Sequence, residues 1–556
     1  MGLYLLDYGA GNVRSLANSL TNLGYHFKWI SSPDDFKKAS KLIFPGVGAF
    51  QSAIDHLNAS GLLEPLKEYL SSGRPYLGIC IGLQILFESS AENPSSKGLG
   101  IIPSAIESFN HDSKSVPHMG WNSVELLDIG QTTAEYIEEH SHYYFVHSYR
   151  ATYDPSNLLA AKWAHTTTQY GNEVFVSTIR HRNIFATQFH PEKSGDAGLR
   201  LLSAWLSKPV HEEVPETSIS RLPRPPKPID GFTKRIIACM DVRTNDQGDL
   251  VVTKGDQYDV REKSSPSTLQ TKSAGAVRNL GKPVTLAARY SAAGADELCL
   301  LNITSFRHSP LHDQPMLAVV RAAAETVFVP LTIGGGIKDT QDPDGTPRSA
   351  LEVAGEYFRA GADKVSIGSE AVYAVERMLA AGGCGDGISA METIAYAYGR
   401  QAVVVSIDPR RTFVDPDTYE GRHKGELVRG SGDEAGKTWW YQSTVSGGRE
   451  LRDLSAVELA QGAEKLGAGE ILLNSIDRDG TGLGFDIDLI RLVRKAVRIP
   501  VVASSGAGTA AHFVEVFEKT GVEAALAAGI FHREEVKIED VKEALKNAGV
   551  NSRSVN

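Results

Sequence analysis

Apolar residues fall in short, nearly unbroken runs, and the stretches between them carry spacing of the helical kind. In the first two hundred residues these runs predict strands over 3–7, 41–44 and 75–79, a helix over 81–87, and an alternating strand over 183–189. From Lys234 onward eight strand candidates follow, at 235–242, 297–303, 327–333, 364–367, 402–407, 470–476, 500–504 and 524–530, each separated from the next by enough chain for a helix. Strands that are apolar on both faces belong to parallel sheets covered on both sides. Eight such strands alternating with helices predict a (β/α)8 barrel. The fold class expected for the whole chain is therefore α/β, an open mixed sheet with flanking helices followed by a barrel.

Between the two patterns lies Arg221-Leu222-Pro223-Arg224-Pro225-Pro226-Lys227-Pro228, which can enter neither a helix interior nor a central strand. It divides the chain into expected domains at 1–207 and 232–556, with a proline-rich linker at 208–231. At 556 residues the chain is too long for one core. Its formal charge of −10 argues against a nucleic-acid partner, so anionic ligands must be held by local groups. Cys80, Cys239, Cys299 and Cys384 have neither metal-ligand spacing nor the density of a disulfide framework, which points to a reducing compartment and no metal. No apolar run reaches membrane-spanning length, and Met1 leads directly into the first strand. The expected location is cytoplasmic, or a plastid if a transit peptide preceded this sequence.

Within the first domain, Gly78-Ile79-Cys80-Ile81-Gly82-Leu83-Gln84 sets a cysteine between an apolar strand and an apolar helix with glycine on both sides. Such a strand-to-helix elbow exposes a side chain at the sheet edge, and a helix N-terminus favours the thiolate form of a cysteine. A lone cysteine is otherwise most often a core residue. Here the strand over 183–189 runs into His190-Pro191-Glu192, a base followed by a carboxylate able to orient it. The order Cys80, His190, Glu192 closely resembles the class I glutamine amidotransferases, the triad glutaminases. That resemblance extends to Pro45-Gly46-Val47-Gly48, similar to the family's oxyanion strand, which implies that backbone N–H groups of Gly46, Val47, Gly48 and Ile81 face the tetrahedral intermediate and that Gln84 lies in the glutamine site. Asp7-Tyr8-Gly9-Ala10-Gly11-Asn12 and Pro117-His118-Met119-Gly120-Trp121-Asn122 are similar to the glutaminase subunit that serves histidine biosynthesis.

The barrel half repeats itself. Ala238-Cys239-Met240-Asp241 on the first strand is echoed by Val405-Ser406-Ile407-Asp408 on the fifth, and Gly334-Gly335-Gly336 after the third by Ser505-Gly506-Ala507-Gly508 after the seventh. With Gly368-Ser369 after the fourth strand and Ala528-Gly529 after the eighth, these turns offer open backbone N–H groups and helix N-termini to phosphate. The duplicated placement predicts a substrate with a phosphate at each end, held by Gly335, Gly336, Gly368, Ser369, Gly506, Gly508, Ala528 and Gly529. Asp241 and Asp408, at the ends of opposite strands, are the candidate acid and base for proton transfers in ring closure.

This half resembles the cyclase subunit of the imidazole glycerol phosphate synthases, and the whole chain resembles their fused, bifunctional form. The resemblance implies the fifth step of histidine biosynthesis. Glutamine is hydrolysed at Cys80, and its ammonia converts a bisphosphorylated aminoimidazole carboxamide ribonucleotide into imidazole glycerol phosphate and aminoimidazole carboxamide ribonucleotide, without a cofactor. Lys254 matches a lysine on the family's first active-site loop, and Asp479 a further active-site aspartate. Arg235, Glu297, Lys364 and Glu470 start strands one, two, four and six, on the face opposite the aspartates; on position alone they could simply face solvent. The resemblance implies that they form an ammonia gate beneath the glutaminase. Arg235 and Asp241 share a face by period-two alternation, about 20 Å apart at about 3.3 Å per residue.

Asn302 stands where free-standing cyclases have an aspartate and is assigned no chemistry. Two insertions, 257–282 and 412–446, fall on the catalytic side, the first a candidate lid. Partners are expected to be small-molecule substrates only, with no nucleic acid and no membrane, in a monomer whose two domains dock within the chain. Two other readings are a glutaminase feeding a nucleotide-activated acceptor, against which no Gly-x4-Gly-Lys-Ser/Thr loop is found, and a phosphosugar isomerase barrel carrying a non-catalytic glutaminase-like module.

Overall fold

The computed structural model describes residues 2–9, 13–46, 48–112, 114–127, 136–138, 141–209, 222–244, 250–253, 283–303 and 311–554. Val47, Lys254 and the insertion 257–282 lie outside them.

The first half is built on an eight-stranded sheet. Phe27–Ile30, Gly2–Leu6, Ala39–Phe44, Tyr76–Ile79 and Ile184–Thr187 run parallel in that spatial order, and Glu173–His181, Ala164–Tyr170 and Glu125–Leu126 continue it antiparallel. Alternation along each strand divides its side chains between two cores. Tyr4, Leu6, Leu42 and Phe44 pack on one face, Leu5, Ile43, Leu77 and Ile79 on the other. Helix Gly195–Ser207 closes the second face with Leu201, Leu202 and Trp205. The helix expected over 81–87 is only Ile81–Gln84, and Phe87–Ser90 is a strand paired with Ile102–Ser108. Apart from Gln84 the run carries no polar residue, so its spacing does not mark where one turn of helix gives way to strand.

The eight barrel strands are Arg235–Thr244, Glu297–Asn302, Leu331–Gly334, Lys364–Ile367, Val403–Ile407, Glu470–Asn474, Val501–Ser504 and Ala524–Ala527. Parallel pairing of Arg235 with Ala524 through Ala238 with Ala527 joins the last strand to the first and closes the barrel. Six of these strands are shorter than expected, the third and the eighth by the most. The third begins at Leu331, after a proline that cannot donate to a ladder, and the eighth ends at Ala527 because Gly529–His532 turns into a short helix. Helices Ala350–Ala360 and Ala456–Lys465 open on full capping boxes, Ser349 with Glu352 and Ser455 with Glu458. Ile237, Cys239, Cys299, Val404, Leu472, Val502 and Leu526 fill the barrel interior.

Much of the insertion 412–446 is folded. Pro409–Phe413, Thr438–Val445, Val428–Arg429 and Glu450–Ser455 form an antiparallel sheet. It is pinned to the barrel by Asp486, which accepts from Tyr441 Oη at 2.7 Å and Arg411 at 2.9 Å.

A two-stranded sheet, His118–Ser123 with His142–His147, lies between the halves. Its alternate residues serve both: Met119, Trp121, Tyr144 and Val146 join the barrel's core, while Tyr143 and Phe145 join the first half's. Trp121 Nε1 donates to the Asp296 carbonyl at 3.0 Å, and Lys193 pairs with Asp363 at 2.7 Å. In the described residues 222–231 of the linker, the Lys227 N–H donates to Gln169 and Arg224 to the Leu126 carbonyl, both of the first half. Among the described residues no helix is long and apolar enough to cross a membrane.

Candidate active site

Cys80 follows strand Tyr76–Ile79 at φ +52°, a conformation that costs a residue with a side chain. Its surroundings enforce it. A Cβ on Gly78 would lie 2.3 Å from the Gly82 carbonyl oxygen and one on Gly82 2.2 Å from that of Phe44, so only glycine fits either side of the elbow. The Cys80 N–H donates to the Thr187 carbonyl at 2.7 Å, fastening the elbow to the strand that leads to His190. His190 Nδ1 lies 2.8 Å from Glu192 Oε1, and both residues are buried. Burial opposes charge on the imidazole, but Glu192 and the Cys80 sulfur outweigh it and push His190 up to about 10. The arrangement holds a proton on His190 between a sulfur and a carboxylate.

Gly48, Cys80, Ile81 and Gln84 line one pocket, together with Glu92, His147, Ser148 and Tyr149. Gly399, Arg400 and Gln401 of the barrel half complete its wall. Gly46 lies beneath, where a Cβ would come within 2.9 Å of the Tyr8 ring. Two residues of this site were missed in the sequence. Gln188 Nε2 stands 3.5 Å from Cys80 Sγ, and its place two positions before His190, just past strand Ile184–Thr187, was the available signal. Glu92 has none; its carboxylate, raised by burial and steadied by the Phe50 N–H at 2.7 Å, reaches the pocket through tertiary folding alone.

At the barrel floor Arg235, Glu297, Lys364 and Glu470 form a closed ring of alternating charge and do not face solvent. Arg235 donates to Glu297 at 2.6 Å and to Glu470, and Lys364 lies 2.6 Å from both carboxylates. All four are buried. Thr332 Oγ1 adds a donor to Glu297 at 2.6 Å. Burial opposes ionisation of Glu297, yet Lys364 and Arg235 hold its carboxyl below the usual range. The buried Tyr144 hydroxyl, with no hydrogen-bond partner among the described residues, feels the field of Glu297 and Arg235 from the glutaminase side.

At the opposite end of the barrel, one pocket collects Asp241, Asp479, Gly506, Gly508, Ala528 and Gly529, so the turns after strands seven and eight do meet. Arg533, which no motif marked, lines it too and is held by Glu535 at 2.7 and 2.8 Å. Gly335, Gly336, Gly368 and Ser369 lie outside that pocket, after strands three and four. Ser369 Oγ accepts the Ser446 N–H of the inserted sheet at 3.0 Å. Asp408 accepts from Asn474 Nδ2 at 2.7 Å; burial, with the Asp479 charge, pushes its carboxyl above the usual range.

Residues 4–206 match the glutamine amidotransferase class-I family and residues 235–537 the histidine biosynthesis protein family. The chain is 53% identical over 544 residues to imidazole glycerol phosphate synthase hisHF of Schizosaccharomyces pombe, covering 97% of this chain and 98% of that one. It is 52% identical over 551 residues to the hisHF protein of Emericella nidulans, covering 98% of each. Identity to the chloroplastic hisHF protein of Arabidopsis thaliana is 53% over 557 residues, covering 99% of this chain and 89% of that one. The chain thus belongs to the imidazole glycerol phosphate synthase family, as a fused, bifunctional glutaminase and cyclase of histidine biosynthesis.

Proposed function

We propose that Cys80, His190 and Glu192 hydrolyse glutamine, that the ammonia passes through the charged ring into the barrel, and that Asp241 and Asp408 use it to form imidazole glycerol phosphate. The observation that carries this reading is the contact of His190 with Glu192 at 2.8 Å behind a cysteine held at φ +52°. The Cys80 sulfur attacks the carboxamide carbon of glutamine, and the N–H groups of the Gly46 to Gly48 segment and of Ile81 receive the negative charge that develops on oxygen. His190 protonates the departing nitrogen, ammonia leaves, and water activated by the then neutral His190 cleaves the thioester to glutamate. Gln84 and Gln188 hold the sulfur's surroundings, and Glu92 suits the substrate's ammonium.

Ammonia then meets Arg235, Glu297, Lys364 and Glu470, and beyond them the apolar interior of Cys239, Cys299, Val404 and Leu472, which excludes bulk water. At the far end the turns at Gly506, Gly508, Ala528 and Gly529 take one phosphate of the substrate, and those at Gly335, Gly336, Gly368 and Ser369 the other. The raised carboxyl of Asp408 fits a proton donor, and Asp241 fits the complementary base. Asp479 and Lys254 bind the substrate. The two activities belong to residues 1–207 and 232–556, joined by the linker 208–231 in a monomer.

The test is product formation by the wild type and Cys80→Ala, each supplied with glutamine or with an ammonium salt at alkaline pH. Loss of glutamine-dependent turnover alone is expected. Retention of both activities removes Cys80 from its role, and Asp241→Asn or Asp408→Asn is expected to abolish turnover from either nitrogen source.

A further inference from the structure

The sheet between the halves also carries two buried histidines in register, His118 and His147. Their hydrogen bonds fix every proton between them. The Asn122 carboxamide oxygen accepts the Ser123 N–H at 2.8 Å, and its nitrogen donates to the Gln169 carbonyl at 2.9 Å, so that nitrogen also donates to His118 Nε2 at 3.1 Å. His118 Nε2 therefore bears no proton, and Nδ1–H donates to His147 Nε2 at 3.1 Å. By the same logic His147 Nδ1–H donates to the Tyr149 carbonyl at 2.7 Å. Neutral rings are required throughout, and burial lowers the proton affinity of both.

The Tyr149 carbonyl receives a second donor, Gln84 Nε2, at 3.2 Å. Because that nitrogen must donate, the Gln188 oxygen 3.0 Å away is the acceptor, and Gln188 turns its own N–H toward Cys80 Sγ at 3.5 Å. Both lone pairs of the Tyr149 carbonyl are used, one by the histidine pair and one by the arm that ends on the nucleophile. The strand that holds His118 and Asn122 turns Met119 and Trp121 the other way, with Met119 Sδ 3.5 Å from Lys364 of the charged ring.

We propose that His118 and His147 are positioning residues for the glutaminase reaction, a one-directional relay that holds the Tyr149 carbonyl and, through Gln84 and Gln188, an N–H donor at the Cys80 sulfur. The proposal rests on Cys80 being the nucleophile. A relay anchored on the sheet that packs against the barrel lets the seating of the two halves alter the nucleophile's surroundings without any contact between barrel and sulfur.

Substitution in the full chain tests it. His118→Phe keeps the ring stacked on Tyr170 and Phe145 but removes both hydrogen bonds, whereas His118→Gln keeps one donor and one acceptor. His118→Phe is expected to lower glutamine-dependent kcat about ten-fold with KM for glutamine little changed, to leave ammonia-dependent turnover intact, and to be largely rescued by His118→Gln. Unchanged glutamine-dependent kcat in His118→Phe overturns the proposal. Nitrogen-15 spectra of the wild type supply a second measurement that needs no variant to fold. Nδ1–H tautomers on both rings are expected, and an imidazolium or an Nε2–H tautomer on either overturns the relay. Cys80→Ala keeps the underlying reading separate, because glutamine-dependent turnover in that variant removes the nucleophile and leaves the tautomers unaffected.

Discussion

The ammonium of Lys193 stands 2.7 Å from the carboxylate of Asp363, joining the turn that carries Glu192 to the start of the fourth barrel strand. Side-chain exposure is 3% for the lysine and 13% for the aspartate, so removing either leaves a nearly buried charge without its partner, at a cost of about 3–5 kcal/mol. Lys193→Met is therefore expected to loosen the docking of the triad turn, lowering glutamine-dependent turnover at least ten-fold while ammonia-dependent turnover persists. Parallel assays with the two nitrogen sources check this, and an equal fall in both places the effect in the barrel instead.

The charged ring makes a different prediction. Lys364 touches Glu297 and Glu470 at 2.6 Å each, so Lys364→Met leaves two buried carboxylates with Arg235 alone between them. A loss of about 3–5 kcal/mol in stability is expected. If ammonia crosses this ring, its disruption also lets nitrogen exchange with solvent. Product made from amide-labelled nitrogen-15 glutamine in excess unlabelled ammonium should stay labelled in the wild type and be diluted in the variant. Equal labelling in the two proteins would place the route elsewhere.

Several of these relationships were legible before the fold was known, because they are local or periodic. His190 and Glu192 are two residues apart, and the ring residues each open an apolar strand, so period-two alternation aims them inward together. The barrel strands were legible because they are short apolar runs, buried on both faces, that recur eight times with room for a helix between them. The same uniformity hid the end of the helix at Gln84, where an apolar run passes from helix to strand without a change of pattern. Glu92 and Asp363 reach their partners through tertiary contact only, and Arg533, though paired with Glu535 two residues on, meets Asp241 and Asp479 at one pocket only in the folded barrel. The two-stranded sheet between the halves was illegible for another reason: it serves two cores at once, so neither face reads as polar.

Asp486 holds the inserted sheet in place, accepting from Tyr441, Arg411 and Ser475 and capping helix Ile487–Ala496 through the Leu489 N–H. Its replacement by alanine removes the cap and one of the two carboxylates that hold the Arg411 guanidinium, Glu434 at 2.6 Å remaining as the other, for about 2–4 kcal/mol. Because Ser446, at the end of this sheet, donates to Ser369 at 3.0 Å, release of the sheet disturbs one proposed phosphate turn directly, whereas it meets Asp408 only at the backbone, through Thr444 Oγ1 on the carbonyl at 2.6 Å. Asp486→Ala is expected to raise KM for the bisphosphorylated substrate several-fold more than it lowers kcat, and to speed hydrogen exchange over Thr438–Val445. A fall in kcat alone would assign the sheet a part in the chemistry.

His532 provides a dependence on pH whose sign is determined by burial. It accepts from or donates to Tyr290 Oη at 2.6 Å through Nδ1, and burial, with Arg533 and Arg289 nearby, lowers it from 6.5 to about 4. Between those values the unfolded chain binds a proton that the folded barrel does not, so stability falls as pH drops below 6.5. The fall approaches about 1.4 kcal/mol per pH unit and stops near pH 4, where the folded state takes up the proton as well. His532→Gln retains a partner for the tyrosine hydroxyl and does not titrate. The wild type's advantage over this variant in urea unfolding should therefore shrink by about 2 kcal/mol between pH 7 and pH 5. A constant difference across that interval would mean that His532 carries the same charge in the folded and unfolded chains.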